Sequence, residues 1–219
     1  MRTPRPLVPP LALGAALLVG GCNLFQPRTP QPPSQGGVPT DYSSPAATLE
    51  TMARAIEAKA AGNSTSAYLG ALADSITRGD VENFIAYFDP EALTVWESAT
   101  GKTPPREWGP SLETLLVIHL PELSGNVYNF YWLDDVQHPN DEDPAPNVKV
   151  LHKQYQLTAT PATGGNVETL AIGYADLTFV KTTGGSWVIA RWQDRVDPTV
   201  GPNPSSGRQS FSALRLSQV

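Results

Sequence analysis

Hydrophobic and polar residues follow two different periods along the chain, and the period changes near residue 126. Between residues 44 and 120, apolar side chains recur every three or four positions, which is the spacing of a helix with one buried face. From residue 126 onward, apolar and polar side chains alternate, which is typical of strands with one buried face. The sequence therefore predicts helices first and a sheet afterwards.

Three helices are predicted in the first region. The first covers residues 44–62 and opens at a serine N-cap followed by proline. The second covers residues 64–79, has Ile76 on its apolar face and ends at a glycine. The third covers residues 111–120 and ends before a proline. Residues 80–90 are compatible with a short helix or a strand, and the proline at their end terminates either one.

Strands are predicted in the second region, with two Gly-Gly pairs marking hairpin loops. The candidates cover residues 126–134, 148–159, 167–181, 186–195 and 210–216. Alternate residues of the fourth strand share one face: Val188, Ala190, Trp192 and Asp194. Because the first two are apolar, this face is predicted to be buried. Helices followed by strands predict an α+β fold, with N-terminal helices packed on a curved antiparallel sheet.

The first 22 residues carry a targeting signal. Arg2 and Arg5 precede an apolar stretch at residues 11–19, which is too short to cross a membrane as a helix. The stretch ends in Val-Gly-Gly-Cys22, which resembles the bacterial lipobox. The resemblance implies that Cys22 is acylated and anchors the chain to a lipid membrane. An ordinary signal peptide with a chance cysteine is the alternative.

Three segments are expected along the chain. Residues 1–21 are the signal peptide, and residues 22–45 contain the lipidated cysteine and a disordered proline-rich tether. Residues 46–219 form a single α+β domain. The predicted location is the bacterial cell envelope. Because Asn23 and not aspartate follows Cys22, the resemblance implies an outer-membrane address, facing the periplasm or the cell surface, in an organism with two membranes.

Charge and cysteine content exclude two classes of function. The chain has a formal charge of -6, and removal of Arg2 and Arg5 leaves 13 basic against 21 acidic residues, a net charge of -8. Nucleic acid is therefore not expected as a partner, because binding phosphates requires a basic surface. Cys22 is the only cysteine, so neither an intramolecular disulfide nor a cysteine metal site can form.

The order of elements resembles a known superfamily. The junction from Gly79 to Pro90 and the closing strand from Trp187 to Asp194 look like parts of the nuclear-transport-factor-2-like fold, a cone-like roll. The likeness spans about residues 46–217. With its lipobox, tether and Phe211, the chain is similar to an uncharacterised group of bacterial lipoproteins in that superfamily. The resemblance, to the ketosteroid-isomerase-like and polyketide-cyclase-like cone, implies a pocket between the concave face of the sheet and the helices. In that pocket ketosteroid-isomerase-like members keep a carboxylate base and an acidic phenol.

Three residues are candidates for lining that pocket: Tyr155, Trp192 and Asp194. Tyr155 shares a face with Leu151 and Leu157, and we expect it to point the same way as Trp192. Asp194 lies at the end of its strand, where it is either a buried base with a raised pKa or a residue that caps a turn. No residue is assigned a catalytic role.

No metal and no cofactor are predicted. His119, His138 and His152 lie far apart and lack the spacing of a helical metal motif. The acidic segment at residues 134–143 lacks the alternating ligands and central glycine of an EF-hand, so a solvated loop is predicted there.

Three functions remain compatible with the sequence. The first is a non-catalytic ligand-binding or assembly domain anchored at the envelope. The second is a pocket enzyme that uses general acid-base chemistry on a small apolar substrate. The third is a structural envelope protein that forms a homodimer through its sheet. A filled, closed cone favours the third function, and an open cone with a buried carboxylate favours the second.

Overall fold

The computed structural model describes residues 37–105, 107–120, 126–198 and 210–219. The predicted signal peptide, Cys22 and most of the predicted tether lie outside these residues. The predicted α+β fold class is confirmed, because helices precede a curved, open sheet.

Helices and strands within the described residues have the following bounds. The helices are α1 (Pro45–Glu57), α2 (Ser64–Gly70), α3 (Ser75–Arg78), α4 (Pro90–Thr100), α5 (Pro110–His119) and α6 (Phe211–Leu216). The strands are β1 (Ile85–Tyr87), β2 (Asn126–Asp134), β3 (Glu142–Ala145), β4 (Val148–Pro161), β5 (Glu168–Lys181) and β6 (Trp187–Val196).

The strands form one sheet in the order β1-β6-β5-β4-β2, and β3 pairs with β4 next to β2. The four long strands β2, β4, β5 and β6 pair antiparallel with their neighbours. The short β1 pairs parallel with β6, which corrects the prediction of a purely antiparallel sheet. Bulges interrupt the register of β5 with each neighbour, and bulges increase the local bend and twist of a sheet.

The first and third helices begin close to their predicted positions. The Ser44 hydroxyl oxygen accepts a hydrogen bond from the Ala47 amide at 3.1 Å, and Pro45 is the first helical residue. The helix ends at Glu57, five residues before Gly62. The third predicted helix is α5, which starts at a proline. Proline is suited to this position because it has no amide hydrogen, and the first amides of a helix have no partner within the helix.

The prediction of one continuous second helix is wrong. After α2, the backbone pairs with β6: Ile189 donates to the Ala71 carbonyl, and Ala73 donates to the Ile189 carbonyl, each at 2.8 Å. These bonds require extended backbone, so helical structure resumes only at α3. Ile76 is 91% exposed and does not lie on a buried face.

The open segment at residues 80–90 is a short strand followed by a helix that the sequence analysis missed. Residues 85–87 form β1. The Asp89 carboxylate caps α4 by accepting from the Glu91 amide at 2.8 Å, and Pro90 occupies the first helical position. Pro90 therefore starts a helix, whereas the sequence analysis treated it only as a terminator.

The C-terminal segment is a helix, which contradicts the strand predicted at residues 210–216. The Ser210 hydroxyl oxygen caps α6 by accepting from the Ala213 amide at 3.2 Å. Five of the six helical residues are buried, so the helix is enclosed on most sides: Phe211, Ser212, Leu214, Arg215 and Leu216. The two-residue alternation predicted for residues 210–216 is therefore wrong.

A bulge changes which residues of β6 face inward. Thr178 pairs with Arg191, but Phe179 pairs with Ile189, so Ala190 is an extra residue. Ile189 and Trp192 therefore both belong to the main core, whereas Val188 and Ala190 pack in a separate small cluster. The predicted common face of Val188, Ala190, Trp192 and Asp194 is wrong for the two aliphatic residues.

The main core lies between the inner face of the sheet and the helices. Its largest buried side chains include Tyr68 of α2, Tyr155 of β4, Trp192 of β6 and Phe211 of α6. Among the described residues, no helix is long and apolar enough to cross a membrane.

Candidate functional site

The three candidate pocket residues lie together in the core. Tyr155 of β4 and Asp194 of β6 lie on either side of β5, and the Tyr155 hydroxyl donates to Asp194 Oδ1 at 2.7 Å. The Trp192 ring centroid lies 6.2 Å from that of Tyr155. All three side chains are fully buried. The structure thus brings together residues that are 39 positions apart in the sequence.

A glycine in β5 makes this contact possible. Gly173 pairs with Tyr155, and a Cβ atom at this position would clash with the tyrosine hydroxyl group. It would also lie 2.8 Å from the Arg195 carbonyl oxygen. Only glycine leaves the space through which Tyr155 reaches across β5 to Asp194.

The N-terminus of α6 occupies the remaining hydrogen-bonding positions of this pair. The Phe211 amide donates to the Tyr155 hydroxyl oxygen at 2.9 Å, and the Ser212 amide donates to Asp194 Oδ2 at 2.6 Å. The Phe211 ring packs 5.0 Å from both the Tyr155 and the Trp192 rings. The first amides of a helix lack partners within the helix, so α6 is held by the same side chains that it covers.

A buried ion pair holds the other side of α6. Arg215 donates to both oxygens of Glu113 on α5, from Nε to Oε2 and from Nη2 to Oε1, each at 2.9 Å. Tyr68 donates to Oε1 at 2.8 Å and Trp108 donates to Oε2 at 2.6 Å. Each Glu113 oxygen therefore accepts two hydrogen bonds. The Arg215 guanidinium also stacks 4.4 Å from the Trp192 ring centroid.

Burial shifts the protonation of this network. Removal from water raises the pKa of Asp194, although the Arg215 charge and the Ser212 and Tyr155 hydrogen bonds act in the opposite direction. Burial also raises the pKa of Tyr155 well above its ordinary value, and the Asp194 charge adds to this. Burial lowers the pKa of Arg215, but the Glu113 charge and hydrogen bonds, with the charges of Tyr68 and Asp194, together outweigh it, and the net shift is upward.

The carboxylate oxygens of the inner network are occupied by internal hydrogen bonds, whereas Trp192 Nε1 and Arg215 Nη1 are buried without a partner among the described residues. Both oxygens of Asp194 and both oxygens of Glu113 accept hydrogen bonds from the protein, and α6 packs over the aromatic side chains. A general base needs a carboxylate oxygen within reach of a substrate proton. In this conformation Tyr155 and Asp194 have a structural role, because their hydrogen bonds position α6.

A second cluster of ionisable residues lies on the outer face of the sheet. Arg195 Nη2 donates to Asp135 Oδ2 at 2.8 Å and to Asp176 Oδ1 at 2.9 Å. His152 Nδ1 lies 2.7 Å from Asp176 Oδ1, and His138 Nδ1 lies 3.0 Å from Asp135 Oδ2. The two imidazole ring centroids are 5.6 Å apart.

This outer cluster was missed by the sequence analysis. Asp135 is fully buried, the exception in a segment, residues 134–143, whose other residues are exposed as predicted. Burial raises the pKa of Asp135, while hydrogen bonds from Arg195, Gln137 and His138 lower it to about 2. The segment that carries His138 leads into β3, and β3 pairs with the same strand that carries His152. Among the described residues, no three histidine, cysteine or carboxylate side chains are placed to bind a metal ion.

Comparisons with known proteins identify similar folds only. No protein-family model matches the sequence, and no curated protein matches it. A protein of unknown function from Mycobacterium tuberculosis aligns at 15% identity over 79% of this chain and 82% of its own, with a TM-score of 0.48. ActVI-ORFA from Streptomyces coelicolor aligns at 8% identity over 69% and 93%, with a TM-score of 0.49.

A ketosteroid isomerase-like protein from Erwinia carotovora atroseptica aligns at 14% identity over 70% of this chain and 94% of its own, with a TM-score of 0.41. The similarities concern the fold alone, and no residue role or activity is transferred from them.

Proposed function

We propose that the protein is a lipid-anchored component of the bacterial envelope, with a non-catalytic binding or assembly domain carried on a proline-rich tether. The lipobox-like sequence at Cys22 supports the anchor, and the composition of residues 22–45 supports the tether. The partners are the lipid membrane, through acylated Cys22, and a further ligand or protein bound by the domain.

The position of α6 carries the non-catalytic part of the proposal. Phe211 and Ser212 take up the hydrogen-bonding groups of Tyr155 and Asp194, and Arg215 neutralises Glu113. A domain whose interior is filled by its own C-terminal helix presents its outer surface to partners. A homodimer formed through the outer face of the sheet is one such assembly.

Cell fractionation after labelling with a fatty acid tests the anchor. The unchanged chain should take up label and sediment with membranes, whereas Cys22→Ala should take up none and become extractable, because acyl chains provide the attachment. Asn23→Ala is a matched control that keeps the cysteine and should stay labelled. Label on Cys22→Ala, or an unlabelled native chain, would contradict the anchor.

An acid-base enzyme is the second candidate, because one observation favours it. Asp194 has a raised pKa and lies 2.7 Å from a tyrosine hydroxyl, an arrangement that suits proton transfer once a substrate is present. This function requires α6 to leave its position. Removal of residues 210–219 would then create binding of a small apolar probe such as anilinonaphthalene sulfonate, quenching Trp192, and Asp194→Asn would alter it. No gain of binding on truncation of a folded chain would exclude this candidate.

A further inference from the structure

A cleft lies on the face of the sheet opposite to α6. Leu177 and Phe179 point into the main core, so Thr178 and Val180 point to the other side. Together with residues 80–82 and 147–148, they line a cleft with a volume of about 370 Å³. This volume falls in the range of sites that hold small organic molecules.

The floor of the cleft is apolar and partly buried. Val81, Val148 and Val180 are each half-buried, and Ala190 is 7% exposed. The bulge in β6 places Ala190 here, because the extra residue shifts it out of the main core. Because the alanine side chain is small, it does not fill the bottom of the cleft.

The charged residues at the rim differ in how many of their polar atoms have hydrogen-bond partners. Arg191 Nη2 donates to Glu82 Oε2 at 2.9 Å, but its Nη1 is buried without a hydrogen-bond partner among the described residues. The Asp80 carboxylate already accepts from the Thr183 amide. The ammonium group of Lys181 lies 5.8 Å from the Trp187 ring centroid at the same rim. The rim therefore carries two cations, Arg191 and Lys181, beside the carboxylates of Asp80 and Glu82.

We propose that this cleft binds a small amphipathic monocarboxylate. Its apolar body lies on the valine floor, and its carboxylate accepts from the guanidinium group of Arg191 and from the ammonium group of Lys181. Charge-assisted hydrogen bonds from a guanidinium or an ammonium group to a carboxylate are stronger than hydrogen bonds between neutral groups. Because Asp80 and Glu82 lie beside the two cations, a single negative charge fits better than a phosphate dianion. This inference rests on the proposed function and deepens it, since it gives the binding domain a ligand class.

NMR titration with hexanoate tests the proposal, with hexan-1-ol, hexylamine and hexyl phosphate as probes of matched length. The protein is the chain from residue 22 onward carrying Cys22→Ala, so that no acyl chain competes for the cleft. Hexanoate should shift the amides of Val180, Ala190 and Arg191, and each other probe should bind about tenfold more weakly, a difference of about 1.4 kcal/mol.

Two substitutions separate recognition from loss of structure. Arg191→Gln should weaken hexanoate binding about tenfold, and Glu82→Gln should tighten it about threefold, because it frees the guanidinium and removes a repelling charge. A misfolded variant cannot bind more tightly. Arg54→Gln is the matched control, because Arg54 forms an exposed pair with Glu50 at the same 2.9 Å distance, and it should leave binding unchanged.

Equal binding of hexan-1-ol, preference for hexylamine or hexyl phosphate, or no tightening by Glu82→Gln would overturn the ligand class. Each of these results would leave the fractionation of the unchanged chain and of Cys22→Ala as expected. Conversely, an unlabelled native chain would contradict the proposed anchor while the NMR titration still reported on the cleft. The two proposals can therefore fail separately.

Discussion

Breaking the buried pair between Arg215 and Glu113 should destabilise the protein far more than removing both charges together. Both side chains are fully buried. Arg215→Met leaves the Glu113 carboxylate charged with only Tyr68 and Trp108 as donors, and Glu113→Gln leaves the guanidinium unpaired. Each single change should cost about 3–5 kcal/mol, which is the usual cost of an uncompensated buried charge.

The double variant should be more stable than either single variant. It contains neither charge of the pair, and the glutamine oxygen still accepts from Tyr68 or from Trp108, so about one buried donor loses its acceptor, at a cost of about 1–3 kcal/mol. The coupling energy between the two positions should therefore reach at least about 2 kcal/mol.

Urea unfolding followed by tryptophan fluorescence measures this cycle. The exposed pair Arg54–Glu50 provides a control cycle, for which coupling of no more than about 0.5 kcal/mol is expected because solvent screens both charges. Coupling between Arg215 and Glu113 as weak as in that control would refute the reasoning, since it would mean that water reaches the pair and that α6 does not seal it.

Two further predictions concern single positions. Gly173→Ala should destabilise the fold by about 1–3 kcal/mol in thermal unfolding, because the added Cβ clashes with the Tyr155 hydroxyl, whereas Gly62→Ala, with open space around it, should not. An unchanged melting temperature for Gly173→Ala would contradict the placement of Tyr155. Because the pKa of Asp135 falls from 3.8 to about 2 on folding, its stabilising contribution is complete above the unfolded value and is lost as pH falls from about 4 to 2. Asp135→Asn should flatten that part of the stability profile measured by urea unfolding, and an unaltered slope would refute this.

The four long strands were predictable because their signal is local. Alternation of apolar and polar side chains with Gly-Gly turns placed β2 at its observed bounds and β4, β5 and β6 within two residues of theirs. The start of α1 was equally predictable, since Ser44 and Pro45 act within one helical turn. Such features depend only on neighbouring residues.

The C-terminal helix was not predictable, because its partners are distant. Six residues are too few to show a helical period, and an isolated helix of that length is unstable in water. It forms because Phe211 and Ser212 find acceptors on Tyr155 and Asp194, 56 and 18 positions away. Glu113, a lone glutamate within the apolar run of α5, was the available signal in the sequence. A buried glutamate is almost always paired, so its position indicates a cation supplied by another part of the chain.

The candidate site was partly predictable, and for a partly wrong reason. Asp194 and Trp192 do share the inner face, but Val188 and Ala190 face the other way because of the bulge. A single extra residue reverses which side chains of the following part of the strand face inward. Because every residue of β6 from 187 to 190 is buried, the pattern of buried residues alone does not reveal the bulge. The proximity of His138 and His152 was not predictable, because it depends on the pairing of β3 with β4. All four residues of β3 are exposed, so the strand shows no alternation of apolar and polar side chains.

Hydrogen exchange at the first two amides of α6 tests the central claim, that the C-terminal helix closes the interior of the domain. Amides at these positions normally exchange fast because they lack partners within the helix. The amides of Phe211 and Ser212 should instead be protected as strongly as those of β5, since they donate to Tyr155 and Asp194 in the core. The Glu91 amide is at the second position of α4, and its hydrogen bond to the Asp89 cap is exposed, so this amide should exchange fast. Fast exchange at Phe211 and Ser212 while β5 stays protected would show an open interior and contradict the account.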